Sequence, residues 1–303
     1  MVRFHQDSSN RPLALGALTV VLLWVGGLAL AAQEAAPGPP STQPGAAATS
    51  TTTVDAVRRR GTLRYTSIPE QMNAFLALDL EAFKTTGARR GKGIDYDLIK
   101  MLADQLGVEL ELVTPDTPSL DRLWHCLEQG CADIAVGALS ILPERTRRFD
   151  FSEPYYQTDL AVVGRKGSPW KTIDETRGLR QSLIPGAAAT SYWMKLANPD
   201  GEIAEAEFTI GLLSQVAEGL ADVGIEDYAL ARTHLDQLPE LEILFTVPID
   251  DHYGIAFRKG SELVPLMNEI LARLKTSGEL QTIIERHLAA SPKEGLDGVV
   301  QDP

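Results

Sequence analysis

Apolar positions recur along residues 54–288 with two periods that take turns. Leu98, Ile99, Leu102 and Leu106 share one face of a helix over 95–106, and Gly107 supplies the residue that ends it. Residues 108–113 then alternate strictly, the pattern of a half-buried strand. Upstream, 62–66 read as a strand opening after Gly61. Downstream, 120–129 read as a second helix, and the apolar run 132–139 as a buried strand. The second half repeats the theme. A strand over 180–184 meets Pro185 and Gly186, and a helix follows around 191–197. Another helix lies within 211–220, with short strands at 222–225, 241–247 and 254–257. Apolar spacings of three and four predict amphipathic helices over 264–275 and 280–288. Strands and helices alternating at this spacing predict an α/β fold of βαβ units and mostly parallel sheet.

The two ends break this pattern. Arg3 and Arg11 precede an apolar run over 13–32 whose Ala29-Leu30-Ala31 has the small-x-small form of a cleavage site. Residues 1–31 therefore read as a signal peptide, with an uncleaved anchor as the alternative, because the run is about long enough to span a bilayer. No cysteine follows it, which disfavours a lipid anchor. Residues 32–53 are rich in Ala, Pro, Gly, Ser and Thr and read as a flexible linker, so the folded part is expected to begin near Val54. Residues 291–303 read as a loose tail.

Composition narrows the function. Of 303 residues, 28 are Lys or Arg and 41 are Asp or Glu, a formal charge of −13. Such a chain repels phosphate backbones, which argues against a nucleic-acid partner. Its only cysteines, Cys126 and Cys131, flank a helix end with Gly130 as the left-handed residue. In a Schellman ending those two positions touch, so a disulfide is geometrically open to them in an oxidising compartment; a pair of buried free thiols is the alternative. The five histidines lack HxxxH or HExxH spacing, and neither G-x-S-x-G nor a P-loop occurs. Asp95 and Asp97 read as helix N-terminal carboxylates rather than a metal pair. No metal site, cofactor or catalytic constellation is expected.

Residues 136–145, VGALSILPER, followed by 149–156, FDFSEPYY, closely resemble a signature of periplasmic amino-acid-binding proteins of ABC importers. Gly93-Ile94-Asp95-Tyr96-Asp97-Leu98, Gly219-Leu220-Ala221-Asp222-Val223 and the segment 253–261, YGIAFRKGS, resemble three further motifs of that family, in order. The resemblance spans about 54–290. It implies the type II periplasmic-binding-protein fold: two α/β lobes, two hinge strands and a ligand cleft. Carried over, 54–154 begin lobe 1, 155–248 hold a hinge and lobe 2, and 249–290 return to complete lobe 1.

The same resemblance implies a site. Arg145 matches the arginine that grips a ligand carboxylate, a task suited to its planar fork of donors. The hydroxyl of Ser140 and the backbone N–H of Ala138 would donate to that carboxylate, and Asp227 would accept from the ligand ammonium. Ala188 lies in the second-lobe segment 186–190, GAAAT, where the family has hydroxyl residues. Met72 and Leu120 stand where an aromatic shelf is usual, which suggests a softer, aliphatic pocket. The implied function is a monomeric, non-enzymatic periplasmic receptor that delivers a small amino acid or related carboxylate to an ABC permease in the inner membrane. Two alternatives stay open: a sensory or regulatory ligand-binding module, and a cyclohexadienyl or arogenate dehydratase on the same fold. The latter needs a general acid in the cleft, for which Glu226 or Glu153 is the candidate.

Overall fold

The computed structural model describes residues 52–68, 73–78, 91–114 and 119–288. The expected signal peptide, most of the linker, Met72 and the tail lie outside these residues. In chain order the described elements are α1 (Val54–Arg60), β1 (Thr62–Thr66), β2 (Ala77–Leu78), β3 (Gly91–Lys92), α2 (Ile94–Leu106) and β4 (Glu109–Leu112). There follow α3 (Leu120–Gln129), β5 (Ile134–Ala135), α4 (Pro143–Thr146), β6 (Phe149–Phe151), β7 (Tyr156–Arg165), β8 (Gln181–Leu183) and α5 (Ala188–Ala197). The remainder are β9 (Ile203–Glu205), α6 (Thr209–Ala217), β10 (Val223–Asp227), α7 (Tyr228–Leu235), β11 (Leu241–Tyr253), β12 (Ala256–Arg258), α8 (Leu263–Ser277) and α9 (Glu279–Leu288).

Two five-stranded sheets carry the architecture, in the orders β4-β1-β5-β12-β6 and β11-β7-β10-β8-β9. Both are mixed rather than mostly parallel. In the first, β1 runs parallel to β4 and β5, while β12 is antiparallel to β5 and β6. In the second, β8 runs parallel to β9 and β10, and β7 is antiparallel to β10 and β11. One face of the first sheet packs on α2, α8 and α9 through Leu98, Leu102, Met267, Leu271 and Ile283, all essentially without exposure. Its other face holds Leu123, Trp124, Leu127 and Phe149. The second sheet is covered on both sides, by Leu212, Leu213 and Val216 of α6 and by Ala189, Trp193 and Ala197 of α5. Fully burying an aliphatic or aromatic side chain contributes about 1.5–3 kcal/mol, so these clusters hold each lobe together.

Strands β7 and β11 are the longest, and they pair from Tyr156↔Tyr253 to Arg165↔Leu241 with register breaks between Ile243 and Phe245 and between Val247 and Asp251. At one end they lead to the first sheet: β6 stops at Phe151 and β12 starts at Ala256. The alternation of periods misses β7 entirely, because both of its faces are buried and Leu160-Ala161-Val162-Val163-Gly164 make a run that carries no clear period. The expected strands at 241–247 and 254–257 are one long strand and a short one; the polar stretch Asp250-Asp251-His252 continues the ladder at the join. By contrast, the run 132–139 pairs only at Ile134–Ala135, since Gly137 (φ 127°) and Ala138 (φ 56°) turn the chain out of the sheet.

Two local expectations also shift, and a third, open between a disulfide and free thiols, resolves to the disulfide. Packing contacts already begin before Val54: Thr52 is buried, and its hydroxyl accepts from Arg258 Nη2 at 2.6 Å. Thr53 caps α1 by accepting from the Ala56 N–H at 3.2 Å. Asp95 does not cap α2, whose N-cap is Gly93; its side chain points into the core instead, while Asp97 pairs with His287 of α9 at 2.7 Å. The structure joins Cys126 to Cys131, with Cα atoms 5.3 Å apart. Around them α3 ends as a Schellman motif: Gly130 has φ 74°, and the Cys131 N–H donates to the Cys126 carbonyl at 3.1 Å.

Candidate functional site

Where the two sheets meet, a cavity of about 40 Å³ is lined by Leu120, Ala138, Ser140, Arg145, Ala188 and Asp227, with Gly137, Leu139, Ile184, Ala187, Glu226 and Leu230. Six of the seven ligand-site positions expected from the sequence thus surround one space; the seventh, Met72, lies outside the described residues. That volume holds about three water-sized centres.

Arg145 is carried by the short helix α4, which Pro143 starts at a position where its missing N–H costs nothing. The side chain turns inward rather than to solvent and is 9% exposed. Its guanidinium donates through Nη1 to the Ser140 carbonyl and through Nη2 to the Gly186 carbonyl, each at 3.0 Å. The second bond reaches across the cavity to the other lobe. Trp124 of α3 lies under the guanidinium, 5.0 Å from Cζ to the ring centroid, and itself stacks on Phe149 at 5.0 Å. Burial weakens the guanidinium's hold on its proton; Asp251, Asp227 and Glu144 oppose that, Asp251 most. With two of its five N–H groups engaged by carbonyls, the fork keeps donors for a carboxylate.

The opposite wall is acidic. Strand β10, buried along its whole length, ends in Glu226 and Asp227. Asp227 is 5% exposed; one oxygen accepts from the Tyr253 hydroxyl at 2.6 Å and the other, Oδ1, has no hydrogen-bond partner among the described residues. Burial holds its pKa well above the ordinary value, helped by repulsion from Glu226 and Asp251, against the Tyr253 bond and Arg145. Glu226 is differently placed. Its two oxygens accept from the Thr209 hydroxyl at 2.9 Å and the Asp227 N–H at 2.8 Å, and burial pushes its pKa up to about 7 despite both bonds. Ala187 and Ala188 begin α5 at the cavity. The first N–H groups of a helix have no partner inside it, and the positive end of its dipole sits there, so this wall suits an anion.

Two of the expected donors are otherwise engaged. The N–H of Ala138 points away from the role given it and donates to Asp95 Oδ2 at 3.1 Å, beside the Gly137 N–H at 2.7 Å. The physical reason is the left-handed turn at Ala138, which aims both amides at α2. Tyr155 donates its hydroxyl to the other oxygen of Asp95, so that carboxylate, wholly buried, takes three bonds. Ser140 donates its hydroxyl to Asp251 Oδ2 at 2.8 Å. The Ala138 N–H is thus engaged by Asp95, and Ser140 is coupled to Asp251, an acid that sequence patterns gave no reason to single out. Trp124 was legible only as the apolar face of a helix. Tyr253 sits within the 253–261 segment, but nothing local marks it as the partner of Asp227. Among the described residues no group of His, Cys, Asp and Glu could hold a metal ion, and no helix is long and apolar enough to cross a membrane.

Comparison with known proteins supplies the context for this geometry. The family model of bacterial extracellular solute-binding proteins, family 3, matches residues 79–290. A probable histidine-binding protein of Neisseria gonorrhoeae is 28% identical over 210 residues, covering 67% of this chain and 76% of that one. The glutamine-binding protein of an ABC transporter of Bacillus subtilis is 26% identical over 206 residues, covering 67% and 75%. Membrane-bound lytic murein transglycosylases F also match, and this chain spans less than half of their length. Among solved structures, a substrate-binding protein of an amino-acid ABC transporter from Streptococcus pneumoniae, bound to L-arginine, superposes with a TM-score of 0.69 at 25% identity, over 79% of this chain and all of that one.

Proposed function

Since the chain belongs to the bacterial extracellular solute-binding proteins of family 3, we propose that it is a periplasmic receptor that takes a free amino acid between its lobes and delivers it to an ABC importer. One observation carries this reading: Arg145 on one lobe and Asp227 on the other, both nine-tenths buried or more, border the same cavity, the first with donors to spare and the second with an acceptor oxygen unmatched. An α-amino acid offers a carboxylate to the guanidinium and to the start of α5, and an ammonium to Asp227. Binding both walls at once favours the closed arrangement, because the ligand becomes part of the contact between lobes.

The enzymatic reading is weaker on this geometry. Of the two carboxylates named for it, Glu226 has both oxygens occupied by protein donors. Glu153, outside the cavity lining, is exposed. Neither presents a free proton-bearing oxygen to a substrate.

The test is thermal melting of the whole exported chain against each standard amino acid, with prephenate as the dehydratase substrate. A ligand at a hundredfold excess over its Kd stabilises the native state by about 2.7 kcal/mol. We expect one or a few amino acids to raise the midpoint, and Arg145→Ala to abolish the shift while leaving the unliganded melt cooperative. No shift with any amino acid, or an undiminished shift in Arg145→Ala, overturns the reading; turnover of prephenate would replace it with the dehydratase.

A further inference from the structure

Asp251 lies on β11 at the passage between the two sheets, paired with Thr158 of β7. Nothing in the zwitterion clamp calls for it. Yet it is 1% exposed, stands one hydrogen bond behind the cavity wall at Ser140 Oγ, and is the charge that Arg145 feels most strongly. Its Oδ1, like that of Asp227, has no hydrogen-bond partner among the described residues. A buried carboxylate oxygen without a donor is costly, and natural structures rarely tolerate one without a role.

Charge counting around the cavity points the same way. Among the described residues three acids, Asp227, Glu226 and Asp251, gather near one cation, Arg145; burial raises the pKa of all three, so a second positive charge is what draws them to their ionised forms. A neutral zwitterion leaves that imbalance unchanged, because its ammonium is offset by its carboxylate. An amino acid with a cationic side chain corrects it, and brings extra N–H donors to a cavity where Asp227 Oδ1 lacks one. The field of a buried carboxylate is little screened at this range, so Asp251 can act on such a ligand through charge as well as through contact.

We propose that Asp251 sets the charge requirement of the cleft, making an amino acid with a cationic side chain the preferred ligand over its neutral isostere; this rests on the amino-acid-receptor reading above. L-arginine and L-citrulline differ in little but that charge, so they are the probes, titrated calorimetrically into the full exported chain. The wild-type protein is expected to bind arginine at least tenfold more tightly than citrulline. Asp251→Asn should bring the ratio close to one, and Asp251→Glu should restore much of it. Asp251→Ser, which removes the charge with less bulk, serves if the Asn variant does not fold. Equal wild-type affinities, or a ratio that survives in the uncharged variants, overturns the proposal while the receptor reading stands, and Asp251 is then a support for Ser140. Failure of every amino acid to bind the wild-type chain removes the receptor reading and this proposal with it.

Discussion

Replacing Asp95 by alanine should cost far more than its distance from any ligand suggests. The carboxylate is wholly buried, one oxygen accepting from the N–H groups of Gly137 and Ala138 and the other from the hydroxyl of Tyr155. Alanine strands two buried amides and a buried phenol. Each unsatisfied group costs about 1–3 kcal/mol, and the relief of no longer burying an acid returns part of it, so the net loss is about 3–5 kcal/mol. Against a domain stability of about 5–15 kcal/mol, that loss is large. Asparagine behaves differently. Its carbonyl can serve the two amides and its amide can donate to the Tyr155 oxygen, so the loss is the charge assistance and the acceptor for the phenol proton, together about 1–3 kcal/mol. Urea unfolding at pH 7 should therefore rank wild type, Asp95→Asn and Asp95→Ala in falling order with an unchanged m-value. Because residues 137–140 line the cavity, Asp95→Ala should also weaken ligand binding without touching ligand. An alanine variant within 1 kcal/mol of wild type, or an asparagine variant as damaged as alanine, would falsify the account of Asp95 as the anchor of this loop.

Other consequences can be measured directly. Burial raises Asp95 and Asp251 to about 6 and Glu226 to about 7, above the unfolded carboxylate near 4. The native state then holds more protons than the unfolded one between about pH 4 and 7, so this contribution to stability is largest on the acid side and fades as pH rises through 6 and 7. Melting without ligand should show a higher midpoint at pH 5 than at pH 8, and a midpoint that climbs steadily over that range would contradict it. Trp124→Leu removes the ring beneath Arg145; losing a cation–π contact of about 0.5–2 kcal/mol should weaken amino-acid binding roughly twofold to thirtyfold in calorimetry, and an unchanged Kd would count against the support assigned to Trp124. Reducing the bond between Cys126 and Cys131, only five residues apart, should cost about 2 kcal/mol by loop entropy. Urea midpoints with and without reductant test this, and a reduced protein that no longer folds would mean the bridge does more than close that small loop.

How much of this could be read from residues alone differs from feature to feature. Helix α2 was plain in the chain because its period, its start near Gly93 and its left-handed Gly107 all agree. Arg145, Ser140 and Asp227 were reachable through motif spacing, and the fold brings them to one cavity although 87 positions separate the outer two, Ser140 and Asp227. What the pattern could not carry was direction. Asp95 sits where helix-capping acids sit, and only the turn at Ala138, distant in sequence, reveals that it bonds elsewhere. Asp251 belongs to a polar stretch between two expected strands, where no apolar pattern marks it as buried, whereas the ladder with β7 runs through it and buries it. In both cases a local rule lost to a tertiary contact more than 40 residues away.

The position of β12 between β5 and β6 also bears on how this chain assembles. All five strands of the second sheet come from one unbroken stretch, from Tyr156 to Tyr253, so that lobe can form from consecutive chain. The first lobe cannot. Until Ala256 and Phe257 arrive, Ile134 and Ala135 on one side and Phe149 to Phe151 on the other face each other across the width of a missing strand, with ladder groups unpaired. Bringing β12 home directly would close a loop of roughly a hundred residues, an entropic cost borne before any contact rewards it. Once β7 and β11 have zipped together, that loop shrinks to the few residues on either side of Tyr156 and Tyr253. The second lobe thus acts as a template for the first, and a lesion that slows its closure should leave the half that carries Arg145 exposed to aggregation and proteolysis long after its own sequence has been made.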